Sequence, residues 1–297
     1  MIIQYGILDN RIDVTEVCFE KLKRGNEIFI PFGDASRASF FGDPVVGELK
    51  KIFITVNNKV NVFSHNYTVR INIDNEHITW KKDDAPEKLA ELHSKLKIHY
   101  GNFSEEFPEQ LMAMRFISPD SKVLEIGGNI GRNSLIISSI LNDSSNLVVL
   151  ECTESIANQL GENRYINELK FHIEPAALSK RKLAIKGWNS VPCEDGILPE
   201  GHNWINTITL EDLRNKYPLE FDTLVLDCEG AFYYILQDTP EILDGVKVIV
   251  MENDYWNIEH KNFVDEVMTA RGFVCSYSEP GGWGPCFNRF FETWEKV

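Results

Sequence analysis

Residues 122–132, KVLEIGGNIGR, constrain this chain more than any other stretch. Val123, Leu124 and Ile126 make an apolar run of the length of one buried parallel strand. Gly127, Gly128 and Gly131 then supply a turn through which backbone can approach a ligand, and helical spacing resumes from Asn133 to Leu141. Strand, glycine turn and helix in that order is the plan of a nucleotide site. The glycines do not complete the dinucleotide fingerprint: with Gly128 and Gly131 as its last two glycines, Ile126 stands where the first should be. A second apolar run, residues 146–150, ends at Glu151, 20 residues after Gly131. A carboxylate there can accept both hydroxyls of a ribose, which NAD also requires, so Glu151 alone does not discriminate between nucleotides.

The remainder of the chain divides in two. Residues 1–86 carry short runs rich in Ile, Val and Phe at 27–32, 51–56, 61–64 and 67–73, separated by Gly, Asn, Asp and Pro, with one helix expected over 14–24. This reads as a small β-rich N-terminal domain that binds an acceptor or a partner. Residues 87–297 alternate helical and apolar strand patterns, with a helix over 87–98 and another from Pro108. Strands follow at 171–177, 221–227 and 246–252, the last two near-continuous apolar runs such as a doubly covered parallel sheet needs. A hairpin-like excursion is expected over 179–193, a loop with His202 over 195–203, and a helix after Thr209, whose Asp212 three residues on suggests a cap. At the C-terminus, 273–277 is expected to pair with 287–293 across a Gly-Gly-Trp-Gly-Pro turn.

These motifs together resemble the FkbM family of S-adenosylmethionine-dependent methyltransferases. The likeness rests on VLEIGGNIGRNSL, VVLECTE, NRYIN, AALSKRK, INTITLEDL and FDTLVLDCEGAFYYIL, in family order over about residues 122–253. The Asp-x-Glu-Gly of the last, at Asp227 to Gly230, is the most specific. The resemblance implies an α/β fold, a class I methyltransferase Rossmann-like sheet, mostly parallel, closed by an antiparallel C-terminal hairpin. It implies S-adenosylmethionine as cofactor, with Glu125 facing its ammonium side, Gly127, Gly128, Asn129 and Gly131 admitting the methionine part, and Glu151 on the ribose. Asn133 at the helix start, Ala177 beside the adenine, and Asp227 complete the expected cofactor contacts. Tyr100 and Gln110 precede the first strand and are read either as parts of a lid or as residues docking the helix on the sheet.

Methyl transfer to a hydroxyl needs its proton removed, by a general base or by a metal that acidifies it. Asp227, Glu229 and Glu252 at strand ends are the candidate catalytic residues. Two alternatives stay open. Either Asp227 or Glu252 is the base, or Asp227, Glu252 and Asn253 hold Mg²⁺, as in the metal site of catechol-type methyltransferases. Trp188, Trp204, Tyr255, Trp256 and Trp283 fall in loops at the same edge, and flat rings beside acids suit a sugar. The expected activity is O-methylation of a small-molecule or glycan hydroxyl. The alternative is a degenerate methyltransferase fold serving as a scaffold in glycan assembly.

Charge and composition narrow the partners. With 45 acids against 30 bases the net charge is -15, which argues against a nucleic-acid partner. Six cysteines without Cys-x-x-Cys spacing indicate neither zinc ribbon nor disulfide framework. No secretory leader and no run of 18 apolar residues is visible, so a soluble cytoplasmic chain with no membrane partner is expected, compatible with a homo-oligomer.

Overall fold

The computed structural model describes residues 1–193 and 196–297. Its largest sheet has seven strands in the spatial order His172–Glu174, Leu147–Leu150, Val123–Ile126, Thr223–Leu226, Val248–Glu252, Phe291–Lys296, Phe273–Glu279. The first five are parallel, and Phe291–Lys296 runs antiparallel to both of its neighbours. This is the class I methyltransferase arrangement of the Rossmann-like fold. Strand order reverses between Val123–Ile126, which precedes its neighbour Leu147–Leu150 in sequence, and Thr223–Leu226, placing the ligand edge at their carboxyl ends. Leu147–Leu150, Val123–Ile126 and Thr223–Leu226 are buried throughout, because helices cover the sheet; their Val, Leu and Ile side chains form one core with Leu135, Ile137, Leu160, Phe232 and Val264.

Three expectations shift for local reasons. The run at 171–177 splits: Pro175 has no N–H for the ladder, so the sheet keeps only His172–Glu174, and Ala177–Leu178 pairs with Thr207–Ile208 instead. The excursion is a three-stranded sheet, in which Leu183–Lys186 pairs with both Asn189–Pro192 and Asn203–Ile205; Asp195, where the following loop was expected to start, lies outside the described residues. The final hairpin does not use 287–290. Pro285 opens a 3-10 turn over Gly284–Arg289, and pairing begins at Phe291. The cap at Thr209 is as expected: its hydroxyl oxygen accepts from the Asp212 amide at 3.1 Å.

The N-terminal part holds two four-stranded antiparallel sheets. One runs Asn10–Asp13, Ile2–Ile7, Lys51–Val56, Lys59–Phe63; the other runs Lys23–Arg24, Glu27–Ile30, Tyr67–Asn72, Ile78–Lys82. Ile3, Tyr5, Ile28, Ile52, Val69 and Ile71 make a second core, separate from the first. The helix Asp34–Phe41 had no clear sequence signal, and its Arg37 is fully buried, donating to the carbonyls of Pro31, Ser64 and Tyr67. Residues 86 and 87 fall inside the helix Ala85–Lys95. The N-terminal part is docked on the larger one: Phe32 belongs to the larger core, stacks on Tyr277 at 5.2 Å and lies under the Arg115 guanidinium at 4.3 Å. Arg115 pairs with Asp83 at 2.9 Å, and Arg24 with Glu295 at 2.8 Å.

Candidate active site

A cavity of 440 Å³ opens at the carboxyl edge of the sheet, a volume in the range of small-molecule sites. Its walls come from the turn after Val123–Ile126, the end of Leu147–Leu150, residues 176–178, the turn after Thr223–Leu226, Glu252, and the first turn of the helix Phe107–Phe116. The glycines have separate jobs. Gly127 lines the cavity at φ +94°, and a Cβ on it would run into the carbonyl oxygen of Asp227. Gly128 and Gly131 face away: side chains there would meet Val149 and Leu160, so these two bring the turn against the second strand and the helix Glu154–Ile166 that follows it, and do not line the cavity. Asn129 adopts φ 47° and does line it.

Glu151 stands where the sequence pattern puts it. One carboxylate oxygen accepts from the Asn129 amide at 3.0 Å and the other from the Thr153 amide at 2.8 Å, which ties the second strand end to the glycine turn. Burial raises its pKa against these bonds. Ala177 lines the cavity, but its amide already donates to the Asn206 carbonyl, so it offers apolar surface and no free donor.

Several expected contacts are not in the lining. Glu125 is buried behind the turn, where it accepts from the Ser134 hydroxyl at 2.6 Å; burial pushes its pKa up to about 8. Asn133 is buried in the helix beyond. Tyr100 bonds Glu162, and Gln110 is fully buried, its amide donating to the Phe103 and Glu105 carbonyls. The segment that carries them is nevertheless fixed to the turn. Asn163 donates to the Tyr100 and Ile130 carbonyls and accepts from the amides of His99 and Tyr100. Among the edge aromatics only Trp188 lines the cavity, at the tip of the small sheet. Tyr255 is core, Trp256 and Trp283 pair with each other at 4.2 Å, and Trp204 lies under Lys182.

Two acids that sequence reasoning missed complete the wall. Glu106 and Glu109 flank Pro108 at the start of Phe107–Phe116 and line the cavity. The sequence signal was a pair of acids on either side of a Phe-Pro helix start, one capping the helix in a left-handed conformation and one in its first turn; Gln110, one position on, turns about 100° away from Glu109. Glu106 pairs with Arg132 at 2.6 Å and accepts from the Asn129 side chain. Glu109 is 7% exposed, lies against Glu252, and leaves its Oε2 buried without a partner.

Asp227, Glu229 and Glu252 all line the cavity. Asp227 and Glu252 share a hydrogen bond, which requires a proton between them, and burial followed by neighbouring negative charge raises both well above the carboxylate range. Glu229, at φ 52°, is the more exposed, and Asp254 beneath it is buried and accepts from the Gly230 amide at 2.8 Å. The cavity is therefore lined by six carboxylates, those of Glu106, Glu109, Glu151, Asp227, Glu229 and Glu252, and by no Lys, Arg or His among the described residues. The Mg²⁺ set of Asp227, Glu252 and Asn253 is not assembled. Asn253 is buried outside the lining with its side-chain amide donating to the Arg289 carbonyl, and no group of three His, Cys, Asp or Glu among the described residues is arranged to hold a metal.

No protein-family model and no curated protein matches this chain. Among solved structures it is similar to the O-methyltransferase from Bacillus cereus in complex with S-adenosylhomocysteine, at 15% identity over 73% of this chain and 92% of that one, TM-score 0.39. The O-methyltransferase TomG from Streptomyces achromogenes, solved with S-adenosylmethionine, aligns at 14% identity over 73% and 91%, TM-score 0.39. The ribosomal protein L11 methylase from Lactobacillus delbrueckii subsp. bulgaricus aligns at 9% over 67% and 82%, TM-score 0.41. Likenesses this distant say nothing about acceptor or mechanism. No helix among the described residues is long and apolar enough to cross a membrane.

Proposed function

We propose that this chain is an S-adenosylmethionine-dependent O-methyltransferase of the FkbM type, with a sugar or glycan hydroxyl as acceptor. The observation that carries the reading is the wall of six carboxylates with no Lys, Arg or His among the described residues. A pyrophosphate would be repelled there, which disfavours NAD and any phosphorylated or nucleic-acid acceptor. A nucleoside bearing a sulfonium and an ammonium suits it. When bound, S-adenosylmethionine supplies an electrophilic methyl group on sulfur.

The chain's residues divide the remaining work. Glu151, held by two backbone amides, is placed to accept the ribose hydroxyls. Gly127 lets backbone approach, and the apolar strip of Leu150, Ala176, Ala177 and Leu178 gives the adenine a dry wall. Asp227, between the cofactor turn and Glu252, is the general base: its raised pKa makes it a better proton acceptor than an ordinary carboxylate. It takes the proton that the acceptor hydroxyl gives up as that oxygen gains the methyl group. Glu252 is protonated in the pair and donates to Asp227, and Glu229 at the mouth is placed to bind further hydroxyls. Trp188 offers an exposed ring for a pyranose face. Magnesium is given no role, because the donor set does not converge.

The test is calorimetry with S-adenosylhomocysteine against NAD⁺, followed by methyl transfer to a panel of neutral sugars. Micromolar binding of the first and none of the second is expected; the reverse would overturn the reading.

A further inference from the structure

The methyltransferase reading leaves the cofactor's ammonium without a partner. Glu125, the acid that the glycine-turn pattern assigns to it, is sealed behind the turn and committed to Ser134. An ammonium carries three N–H donors and in a closed site needs acceptors for them. The sulfonium carries no N–H, so it can lower the energy of a nearby carboxylate only through space.

We propose that Glu109 is the ammonium anchor, supplied by the helix that precedes the first strand and not by the glycine motif. This rests on the reading of the cavity as a site for S-adenosylmethionine. Glu109 lines the cavity beside Glu252, and its Oε2 is buried without a hydrogen-bond partner. An orphaned buried carboxylate oxygen is costly, and among the ligand's groups the ammonium satisfies it best, by a charge-assisted bond. Neighbouring acids are otherwise engaged. Glu106 is neutralised by Arg132 and steadies Asn129, Glu151 holds two amides, and Asp227 and Glu252 hold each other. Glu109 lies in the first turn of the helix that Glu106 caps; Glu106 touches the glycine turn, and Glu109 itself touches Glu252 at the fifth strand end. Its carboxyl group thus stands between the glycine turn and the fifth strand end. The neighbour Gln110 fixes the helix from behind, its side chain bonded to His93, Phe103 and Glu105.

The experiment is calorimetry on the full chain with two ligands, S-adenosylhomocysteine and its analogue lacking only the amino group, for the native protein and for Glu109→Gln. The native protein should bind the deaminated analogue about ten- to a hundred-fold more weakly. Glu109→Gln should bind S-adenosylhomocysteine weakly by a similar factor and treat the two ligands alike. Equal native affinity for both ligands would overturn the proposal without need of the variant, as would a variant that still discriminates between them. Native protein that binds neither nucleoside would overturn the methyltransferase reading and the anchor with it, whereas binding of both with equal strength removes only the anchor.

Discussion

The backbone carbonyl of Asp227 occupies the space into which any side chain on Gly127 would project, so the glycine turn and the candidate base are in direct backbone contact. The contact follows from pairing: the Asp227 amide donates to the Ile126 carbonyl at 3.0 Å, one residue before the glycine, and φ +94° at Gly127 then folds the turn over the neighbouring strand end.

Gly127→Ala should therefore destabilise the fold even without ligand, by at least about 2 kcal/mol from the left-handed backbone and the clash with a backbone atom that cannot move aside. Thermal or urea unfolding of the apo chain measures it. A variant as stable as the native protein would show that the two strand ends separate easily.

Glu151→Ala should weaken S-adenosylhomocysteine binding by about 1.5 to 3 kcal/mol through lost charge-assisted bonds to ribose. It should also lower apo stability, because the Asn129 and Thr153 amides lose their acceptor. Glu151→Gln keeps one acceptor oxygen and should fall between. Unchanged affinity in a folded variant removes Glu151 from the ribose.

For Asp227→Asn, turnover should fall by about 10² or more while S-adenosylhomocysteine affinity stays nearly intact, since the change removes the proton acceptor and keeps the shape. Chelation should leave the native rate unchanged. A rate abolished by chelator and restored by Mg²⁺ would reinstate a metal that the donor set gives no reason to expect.

Glu125 gives a pH prediction. Burial raises its pKa from 4.5 to about 8, so between those values the folded chain holds a proton that the unfolded chain has released. Its stabilising contribution is complete below about pH 4.5, declines as pH rises, and is gone above about pH 8. A displacement of this size is worth on the order of 5 kcal/mol. Glu125→Gln, which keeps an acceptor for Ser134, should melt higher than the native protein at pH 8.5 and converge with it near pH 4.5. Parallel melting curves across that range would mean that the carboxylate finds water.

What the sequence determined by itself is the sheet and its ligand edge. Apolar runs such as LVVL and TLVL have no alternative to burial, glycines at 127 and 131 dictate a left-handed turn, and acids directly after such runs must emerge at strand ends. Hence Gly127, Asn129, Glu151, Ala177, Asp227, Glu229 and Glu252 were all legible as cavity residues. Which way each remaining side chain turned was not. Glu125 lies within its strand and its side chain is sealed from the cavity, while Glu151, one residue past the end of its own strand, reaches it. The helix before the first strand presents Glu109 and withdraws Gln110, a choice of rotation made by packing against Phe103 and His93. Tertiary structure also decided that Phe32 leaves its own domain to fill the core beside Tyr277, because the exposed faces of Phe116 and Tyr277 must be covered by something apolar, and pattern in one segment carries no information about which distant segment covers it.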